Sequence, residues 1–256
     1  MKNDLFTIGS LTVHSYGLMI AVGVIAAVLL GMVLAKRHGK DPDGVCDLTM
    51  TVLIFGFLGA KILYLLVNFQ AFLDDPSIFF DSSGFVVYGG LATGILAAIV
   101  FCRVKKLRFL EQLDLYAPCI SLAQGFGRIG CFLAGCCYGR ETSSPIGVIF
   151  PAGSIAPSGV RLLPTQLFSS AGDFLLAGIL LLYSRKKRPE GDCGALFLIL
   201  YGIGRFVLEF FRSDSRGVVG FLSTSQFVSI FAVAIGAFLF LRNIRPRAGR
   251  DGADAA

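Results

Sequence analysis

The sequence predicts an all-α protein that crosses a membrane several times, and three observations support this prediction. Of the 256 residues, 55% are hydrophobic and only 16% are charged, with a mean hydropathy of +0.74, whereas a soluble domain is about 25% charged. Apolar runs near the roughly 20 residues that a helix needs to span a bilayer recur along the chain. Lysine and arginine gather in alternate loops between these runs. The composition excludes a collagen, a coiled coil and a disordered chain.

Seven stretches reach spanning length. In chain order they cover residues 14–35, 45–68, 85–102, 115–137, 165–184, 193–211 and 222–241. The basic segment Lys36–Lys40 follows the first stretch, and no small-residue cleavage site ends it, so this stretch is predicted to be a retained helix and not a signal peptide. No internal repeat or second domain is visible. Residues 1–256 are therefore predicted to form a single polytopic membrane domain.

The positions of the basic residues predict the orientation of the chain. Fifteen Lys and Arg residues follow the first, third, fifth and seventh spans, and five lie in the other loops. Because cytoplasmic loops carry the excess of positive charge, the N-terminus is predicted outside and the C-terminus in the cytoplasm. Loop 69–84 has acidic residues and no basic ones and is assigned outside. Loop 138–164 contains four prolines and is predicted to form a small external head, with short strands such as Ile146–Phe150.

Ionisable residues at membrane depth are costly and therefore tend to mark function. The predicted topology places five such residues, and two tyrosines that open outward-starting helices, in the outer half of the membrane. They are Lys61, Arg128, Asp173, Arg205, Glu209, Tyr16 and Tyr88. Tyr201, Arg205 and Glu209 stand at i, i+4 and i+8 and so share one helix face. The sequence thus predicts a polar site on the outer side.

Two arginines at one depth need a source of negative charge. Glu209 and Asp173 can supply it as a structural ion-pair network, or an anionic ligand can supply it. The ligand is the favoured alternative, because buried ion pairs add little stability and the guanidinium fork suits a phosphate. Glycines surround Arg128, which allows a backbone or a lipid head group to approach closely. A phospholipid is the natural candidate for the anion.

Seven cysteines complete the inventory of reactive residues. The odd count, with most of them inside predicted spans, argues against a disulfide framework. Cys131, Cys136 and Cys137 cluster near the outer end of the fourth span. We expect them to be small packing residues and expect no metal and no cofactor, since histidines are scarce. A reactive thiol or an external disulfide remains an alternative.

Five motifs in order resemble the prolipoprotein diacylglyceryl transferase family from about residue 15 to 230. They are Ser15-Tyr16-Gly17-Leu18-Met19, Tyr88-Gly89-Gly90-Leu91, Gly127-Arg128-Ile129-Gly130, Pro164-Thr165-Gln166-Leu167 and Tyr201-Gly202-Ile203-Gly204-Arg205-Phe206 with Glu209-Phe210-Phe211-Arg212. Gly59-Ala60-Lys61 occupies the place of a Gly-Ala-Arg pattern, and Ser225-Gln226 that of a late Gly-Gln.

The resemblance implies a seven-span enzyme of the bacterial inner membrane with its N-terminus outside. Such an enzyme moves the diacylglyceryl group of phosphatidylglycerol to the thiol of a preprolipoprotein lipobox cysteine and releases glycerol phosphate. The implied partners are an anionic phospholipid and the lipobox peptide, with no nucleic acid and no cofactor. Tyr16, Arg128, Gly139 and Arg205 are implied as functional positions. Arg128 and Arg205 would stabilise the charge that develops on the leaving phosphate.

The chain departs from the family pattern in the region implied in proton transfer. Tyr88 stands where the family usually has a histidine, and Cys131 where it usually has an asparagine. Leu163 stands for the histidine before Pro164. Tyr88 can replace the histidine as a hydrogen-bond donor or as a base, and His14 is an alternative base.

The predicted site therefore has two parts. The predicted catalytic residues are Arg128, Arg205, Tyr88 and Tyr16. The predicted phospholipid-binding residues are Arg128, Arg205, Gly89, Gly90, Gly127, Gly130, Gly139, Lys61, Tyr201, Glu209 and Gln166. Two other functions stay open: a paralogous phospholipid-dependent transferase with a different acceptor, and a non-catalytic phospholipid-binding membrane protein.

Overall fold

A computed structural model of the chain describes residues 4–8, 11–80, 84–214 and 217–251. Lys2, Asp81 and Arg216, which contribute to the charge pattern above, lie outside the described residues. The protein is built almost entirely from helices, and the prediction of an all-α membrane protein is confirmed.

Within the described residues, seven long helices correspond one to one to the seven predicted spans. Their bounds are α1 Ser15–Arg37, α2 Asp43–Val67, α4 Val87–Val104, α5 Phe109–Ala134, α6 Thr165–Tyr183, α7 Asp192–Glu209 and α8 Thr224–Asp251. A short helix, α3 Phe69–Asp74, and a 3-10 turn, Pro76–Phe80, lie between α2 and α4. The described part of the chain also contains three antiparallel hairpins. They are β1 Asp4–Ile8 with β2 Leu11–His14, β3 Val148–Ile149 with β4 Arg161–Leu162, and β5 Val218–Val219 with β6 Leu222–Ser223.

Within the described residues, five of the long helices are long and apolar enough to cross a membrane. These are α1, α2, α4, α6 and the segment Thr224–Asn243 of α8. The other two long helices, α5 and α7, carry ionisable residues in their interiors, among them Arg128 on α5 and Arg205 on α7. The chain is therefore a multi-pass helical membrane protein.

The chain divides into two compact units, each described by itself. The first unit comprises Met1–Leu30 and Leu113–Ala256, and the second comprises Gly31–Gln112. The prediction of a single polytopic domain stays a prediction.

In the second unit, α2 and α4 approach each other through small residues. A Cβ atom added to Gly89 would lie 2.6 Å from Cβ of Leu63, and one added to Gly90 would lie 2.9 Å from the carbonyl oxygen of Gly56. The hydroxyl of Thr93 donates a hydrogen bond to the carbonyl oxygen of Phe55 at 2.9 Å. Small residues at such an interface let helix backbones pack closely where lipid gives no hydrophobic drive for association.

In the first unit, a carboxylate fixes the start of α7 to α5. The two oxygens of Asp114 accept hydrogen bonds from the backbone N–H groups of Gly191 and Gly194, at 2.7 and 2.8 Å. The first N–H groups of a helix have no partner within the helix, and an acceptor with negative charge stabilises them. The side-chain amide of Asn243 on α8 donates to Asp192 at 2.8 Å, so α8 joins the same junction.

The long connection between α5 and α6 is ordered around its own small core. Phe150, Ala156 and Leu162 are buried there against Phe132 and Tyr138. The strand predicted near residues 146–150 is β3, and it pairs with β4. Backbone bonds tie this connection to the segment after α7, including Gly139 opposite Arg212 and the N–H of Arg140 to Phe211 at 3.0 Å.

Candidate functional site

A cavity of about 180 Å³ lies among α5, α6 and α7 in the first unit. Each helix contributes a polar group to it: Arg128 from α5, Asp173 from α6, and Tyr201 with Arg205 from α7. The rest of the wall is mainly apolar. Its aliphatic residues are Leu175, Leu176, Ile179, Leu200 and Leu208. Two arginines that are 77 residues apart in the sequence therefore face one cavity, as the sequence predicts.

Arg205 is buried and already has polar partners. Its Nη1 atom lies 2.7 Å from Oε2 of Glu209, one helical turn later on α7. Its Nη2 atom donates a hydrogen bond to the hydroxyl of Ser225 on α8, also at 2.7 Å. Both side chains of the ion pair are less than one-tenth exposed. The charge of Arg205 is therefore balanced within the protein.

The ion pair continues into a chain of alternating charges after the end of α7. Arg212 lies 4.0 Å from Glu209 and makes a two-pronged contact with Asp214, at 3.0 and 2.9 Å. Burial by itself would lower the pKa of the Arg212 guanidinium, but the interactions with Asp214 and Cys137 together outweigh burial and its pKa is raised. Such two-pronged bonds fix the orientation of the arginine as well as its charge.

Arg128 differs from Arg205 in its surroundings. In the part of the chain that the structure describes, Arg128 makes no hydrogen bond and no ion pair within 4.0 Å. Asp173 and Tyr201 are near enough to act on it electrostatically, and Asp173 is buried on the same cavity wall. The cavity thus presents one guanidinium whose hydrogen-bond donors are available, in a setting of low dielectric where each donor has a large effect.

Tyr16 lies beside the helix that carries Arg128. A Cβ atom added to Gly130 would lie 3.2 Å from the ring of Tyr16 and 3.1 Å from Cβ of Met19, so this glycine lets α1 pack closely on α5. Tyr16 itself is 43% exposed. An added Cβ on Gly127 would meet nothing within 4 Å. Gly130 therefore has a packing role, and Gly127 leaves open space next to Arg128.

The predicted binding residue Gly139 lies in the loop that follows α5, and Gln166 lies in the first turn of α6. The Gln166 side-chain N–H donates to the carbonyl oxygen of Cys136 at 2.7 Å, and the Thr165 hydroxyl donates to that of Cys137 at 2.9 Å. A Cβ atom on Gly139 would lie 2.8 Å from the carbonyl oxygen of Leu163. These residues fasten the loop to the start of α6, and neither Gln166 nor Gly139 lines the cavity described above.

Four predicted site residues belong to the second unit. Gly89 and Gly90 pack α4 against α2, as described above. Lys61 is buried, and its ammonium lies 5.4 Å from the ring centre of Tyr64 and 5.2 Å from that of Phe85. Tyr88 opens α4 and is 38% exposed. These four residues therefore belong to the second unit. The first unit contains the other part of the predicted site: Arg128, Arg205, Tyr201, Glu209 and Tyr16.

Two residues of the site were not assigned from the sequence. The Ser225 hydroxyl accepts a hydrogen bond from Arg205. The sequence could have indicated Ser225, because the Ser225-Gln226 pair occupies the position of a family motif. Arg212 lies three residues after Glu209, the spacing at which opposite charges meet on a helix. The sequence could have indicated Arg212 by this spacing, but its partner Asp214 lies in irregular structure and gave no signal.

Fold and cavity together define a multi-pass helical membrane protein with an arginine-lined site. The profile of the prolipoprotein diacylglyceryl transferase family matches residues 3–242. The chain belongs to this family and is a transferase. The resemblance identified from the motifs is thereby confirmed.

Individual relatives agree with the family match. The chain is 47% identical over 241 residues to a phosphatidylglycerol–prolipoprotein diacylglyceryl transferase of Clostridium tetani, which covers 94% of the chain and 97% of the relative. It is 47% identical over 253 residues to the second such enzyme of Clostridium perfringens, covering 98% of each. The relative from Teredinibacter turnerae is 36% identical over 247 residues, covering 91% of the chain and 84% of the relative.

Proposed function

We propose that this chain transfers the diacylglyceryl group of phosphatidylglycerol to the lipobox cysteine thiol of a preprolipoprotein, forming a thioether and releasing glycerol phosphate. The names of the relatives state this donor and this acceptor, and their identity extends over nearly the whole chain. The observation that carries the proposal is the guanidinium of Arg128, which faces the cavity without an ion pair among the described residues.

Arg128 is suited to the leaving group of this reaction. The donor is a phosphate diester with one negative charge. As the carbon–oxygen bond breaks, a second charge develops on the departing phosphate oxygen. A preorganised cation in a site shielded from water stabilises that charge more than it stabilises the donor, and this difference lowers the barrier. Arg205 adds hydrogen-bond donors beside it, while Glu209 keeps its charge balanced.

The size of the cavity suits a head group and not a whole lipid. A volume of about 180 Å³ is below the roughly 300 Å³ at which small-molecule pockets begin. We place the phosphate and the glycerol carbon that reacts between Arg128 and Tyr201, with the acyl chains against the aliphatic wall and the bilayer. Asp173 balances charge on the same wall.

The remaining predicted residues take supporting roles in this proposal. Tyr16, beside α5, orients the donor or the acceptor thiol. Gly130 and Gly139 maintain the close packing that positions Arg128 and the loop after α5. In the second unit, Tyr88 offers a partly exposed phenol for hydrogen bonding to a substrate, and Lys61 carries a buried positive charge.

We further propose seven membrane spans in the plasma membrane of a bacterium, with the N-terminus outside and the C-terminus in the cytoplasm. The alternating distribution of Lys and Arg supports this orientation. The ordered connection between α5 and α6 then forms a small external head. A cysteine placed at Ser158 would react with an impermeant maleimide added to intact cells, and one placed at Lys187 would react only after lysis.

A direct assay tests the function. Purified protein in nanodiscs is mixed with phosphatidylglycerol labelled in its acyl chains and a lipobox peptide. We expect label on the peptide, and loss of labelling when the peptide cysteine is replaced by serine. Glycerol phosphate release without a labelled peptide would indicate a transferase with another acceptor, which the departures at Tyr88 and Cys131 favour as the second candidate. Lipid binding without turnover would refute both.

A further inference from the structure

We propose that Cys131, Cys136 and Cys137 form a three-thiolate site for a thiophilic metal ion, with Zn²⁺ as the preferred ion, and that its fourth position takes the acceptor thiol. The first half goes against the expectation that these cysteines only pack helices. The second half rests on the proposed function.

The geometry of the three sulfur atoms fits one ion. All three Sγ atoms lie within 4.8 Å of one another. Zinc–sulfur bonds are about 2.3 Å long, so two sulfurs of a tetrahedral site are about 3.8 Å apart. Small rotamer changes therefore bring the three thiolates onto one ion. Soft thiolate ligands select Zn²⁺ or Cu⁺ over the hard ions Mg²⁺ and Ca²⁺.

The backbone turns sharply to bring these thiols together. Cys131 lies in the last turn of α5, and the N–H of Cys136 donates to the Cys131 carbonyl oxygen at 3.1 Å. Gly135 and Cys137 have φ angles of +72° and +62°. The left-handed conformation is sterically unfavourable for a residue with a side chain such as Cys137. Strain of this kind is held in place by surrounding bonds and is common at functional sites.

The loop is held rigidly enough to preorganise the cluster. The bonds from Gln166 and Thr165 grip the carbonyl oxygens of Cys136 and Cys137, and both donors are fully buried. These bonds use the backbone oxygens of the two cysteines, while the Cys136 thiol donates to the carbonyl oxygen of Cys131 at 3.6 Å and the Cys137 thiol contacts Arg212. Cys136 and Cys137 are half-buried and Cys131 is buried, and the three Sγ atoms lie close together. A metal ion can therefore reach the cluster and retain an open side.

Neighbouring arginines provide the charge that such a site needs. Arg212 contacts Cys137, and Arg128 is close enough to act electrostatically on Cys131 and Cys137. Three thiolates and one Zn²⁺ carry a net charge of −1. The Arg128 guanidinium, which has no ion pair among the described residues, can offset this charge. The cluster is thus electrostatically acceptable inside the protein only when a cation is bound or when the thiols stay protonated.

A disulfide accounts for this arrangement less well. It would use two of the three sulfurs and leave the third without a role. The adjacent residues Cys136 and Cys137 are also poorly placed to bond to each other. Three converging sulfurs are the donor set of zinc sites that keep one position for another ligand.

The open position gives the acceptor thiol a way to ionise. Thiolate is the nucleophile, and a thiol that coordinates a metal is deprotonated outright, here with its proton passing to water. The acceptor sulfur then bonds to the diacylglyceryl carbon, the carbon–oxygen bond breaks, and its electron pair remains on the phosphate beside Arg128. The metal changes neither charge nor oxidation state. This route needs no histidine base, which fits a chain with Tyr88 at the position of that histidine.

Metal binding is tested on the full-length protein in detergent. The protein is reduced, treated with a chelator, and titrated with Co²⁺ and Zn²⁺ alone. We expect one ion per chain by elemental analysis, and thiolate-to-cobalt charge-transfer absorption in the near ultraviolet that Zn²⁺ abolishes. Cys131→Ser and Cys137→Ser should each weaken binding at least tenfold. The matched controls Cys119→Ser, on the same helix, and Cys46→Ser should bind as the parent does.

Two results would overturn the metal site. One is the absence of stoichiometric binding by fully reduced protein that still shows its cooperative thermal transition. The other is metal binding that the Cys119→Ser control loses as strongly as the cluster variants. Mass spectrometry of protein prepared without reductant shows whether a disulfide forms instead, and a disulfide together with no metal affinity also overturns the proposal.

The role of the metal in transfer is tested separately. Chelator-treated protein should transfer diacylglyceryl groups at least tenfold more slowly, Zn²⁺ should restore the rate, and the rate of Cys131→Ser should not respond to Zn²⁺. Unchanged turnover after verified removal of the metal would refute activation of the acceptor while leaving the binding site intact. Absence of transfer under every metal condition, with stoichiometric binding retained, would refute the proposed function and not the metal site.

Discussion

The substitution Arg128→Gln distinguishes a cation that serves a ligand from one that serves the fold. Arg128 lines the cavity, and the described structure gives it no ion pair to lose. Two charge-assisted hydrogen bonds to a phosphate contribute about 1.5–3 kcal/mol each. Loss of a preorganised donor to a developing oxyanion typically lowers kcat by about 10²–10³. We therefore expect kcat/KM to fall by about 10²–10³, while thermal stability changes by less than about 1 kcal/mol.

Arg205→Gln is expected to differ from Arg128→Gln in its effect on thermal stability. That substitution leaves Glu209 buried without its 2.7 Å partner, and removal of one member of a buried pair costs about 3–5 kcal/mol. Both variants should lose activity, but only Arg205→Gln should unfold at a clearly lower temperature. Arg185→Gln, at an exposed position after α6, serves as the charge control and should retain full activity.

The assay combines initial rates of peptide labelling at varied phosphatidylglycerol concentration with thermal unfolding in the same nanodiscs. Two results would refute the reasoning. One is an Arg128→Gln variant that keeps kcat/KM within about threefold of the parent. The other is an Arg128→Gln variant that is destabilised as much as Arg205→Gln, since that would make Arg128 a structural cation.

Three further predictions concern the supports of the site. Gly130→Val should lower both activity and thermal stability, because its side chain would overlap Tyr16 on α1; unfolding and transfer rates measured together test this, and an unchanged rate would contradict it. Asp114→Ala removes the acceptor of two N–H groups at the start of α7 and should cost about 1–3 kcal/mol, measured by thermal unfolding, with no direct effect on KM. Phe150→Ala in the α5–α6 connection should cost about 3–5 kcal/mol locally and make this connection sensitive to protease, and a protease pattern like that of the parent would count against its buried core.

The sequence predicted the helices well, because apolar runs and basic loops report directly on a lipid environment. Every predicted span has a helix, and the bounds agree within six residues except at the end of α8, which continues to Asp251, ten residues past the predicted end. The next largest difference is at α5, which begins at Phe109 and ends at Ala134 instead of covering 115–137. The observed start of α5 precedes the predicted one because Asp114 lies inside α5, where its carboxylate caps the start of α7. No local sequence pattern reveals this tertiary role. The end moves because Gly135 leaves the right-handed helix.

The candidate site was predictable in its charges and not in its partners. The depth of Arg128 and Arg205 followed from the topology, and the structure brings them to one cavity. The sequence did not reveal that Arg128 lacks an ion pair among the described residues. Glu209 can reach Arg205 on the same helix, but whether Asp173 reaches Arg128 depends on how α6 packs. The glycines near the motifs were predicted to let a backbone or a lipid head group approach closely. At Gly89, Gly90 and Gly130 the structure shows close helix packing, and their role in binding lipid stays a prediction, since a missing side chain serves either purpose and sequence cannot separate them.

The guanidinium of Arg128, which has no ion pair among the described residues, also has a consequence for turnover. The donor lipid brings one negative charge into the cavity, whereas glycerol phosphate, a monoester with a second pKa of about 6, leaves with nearly two at neutral pH. The same arginine therefore attracts the spent head group more strongly than the incoming lipid. An enzyme with this arrangement is exposed to inhibition by its own product, and its steady-state rate depends on how readily that small, water-seeking anion escapes into solution.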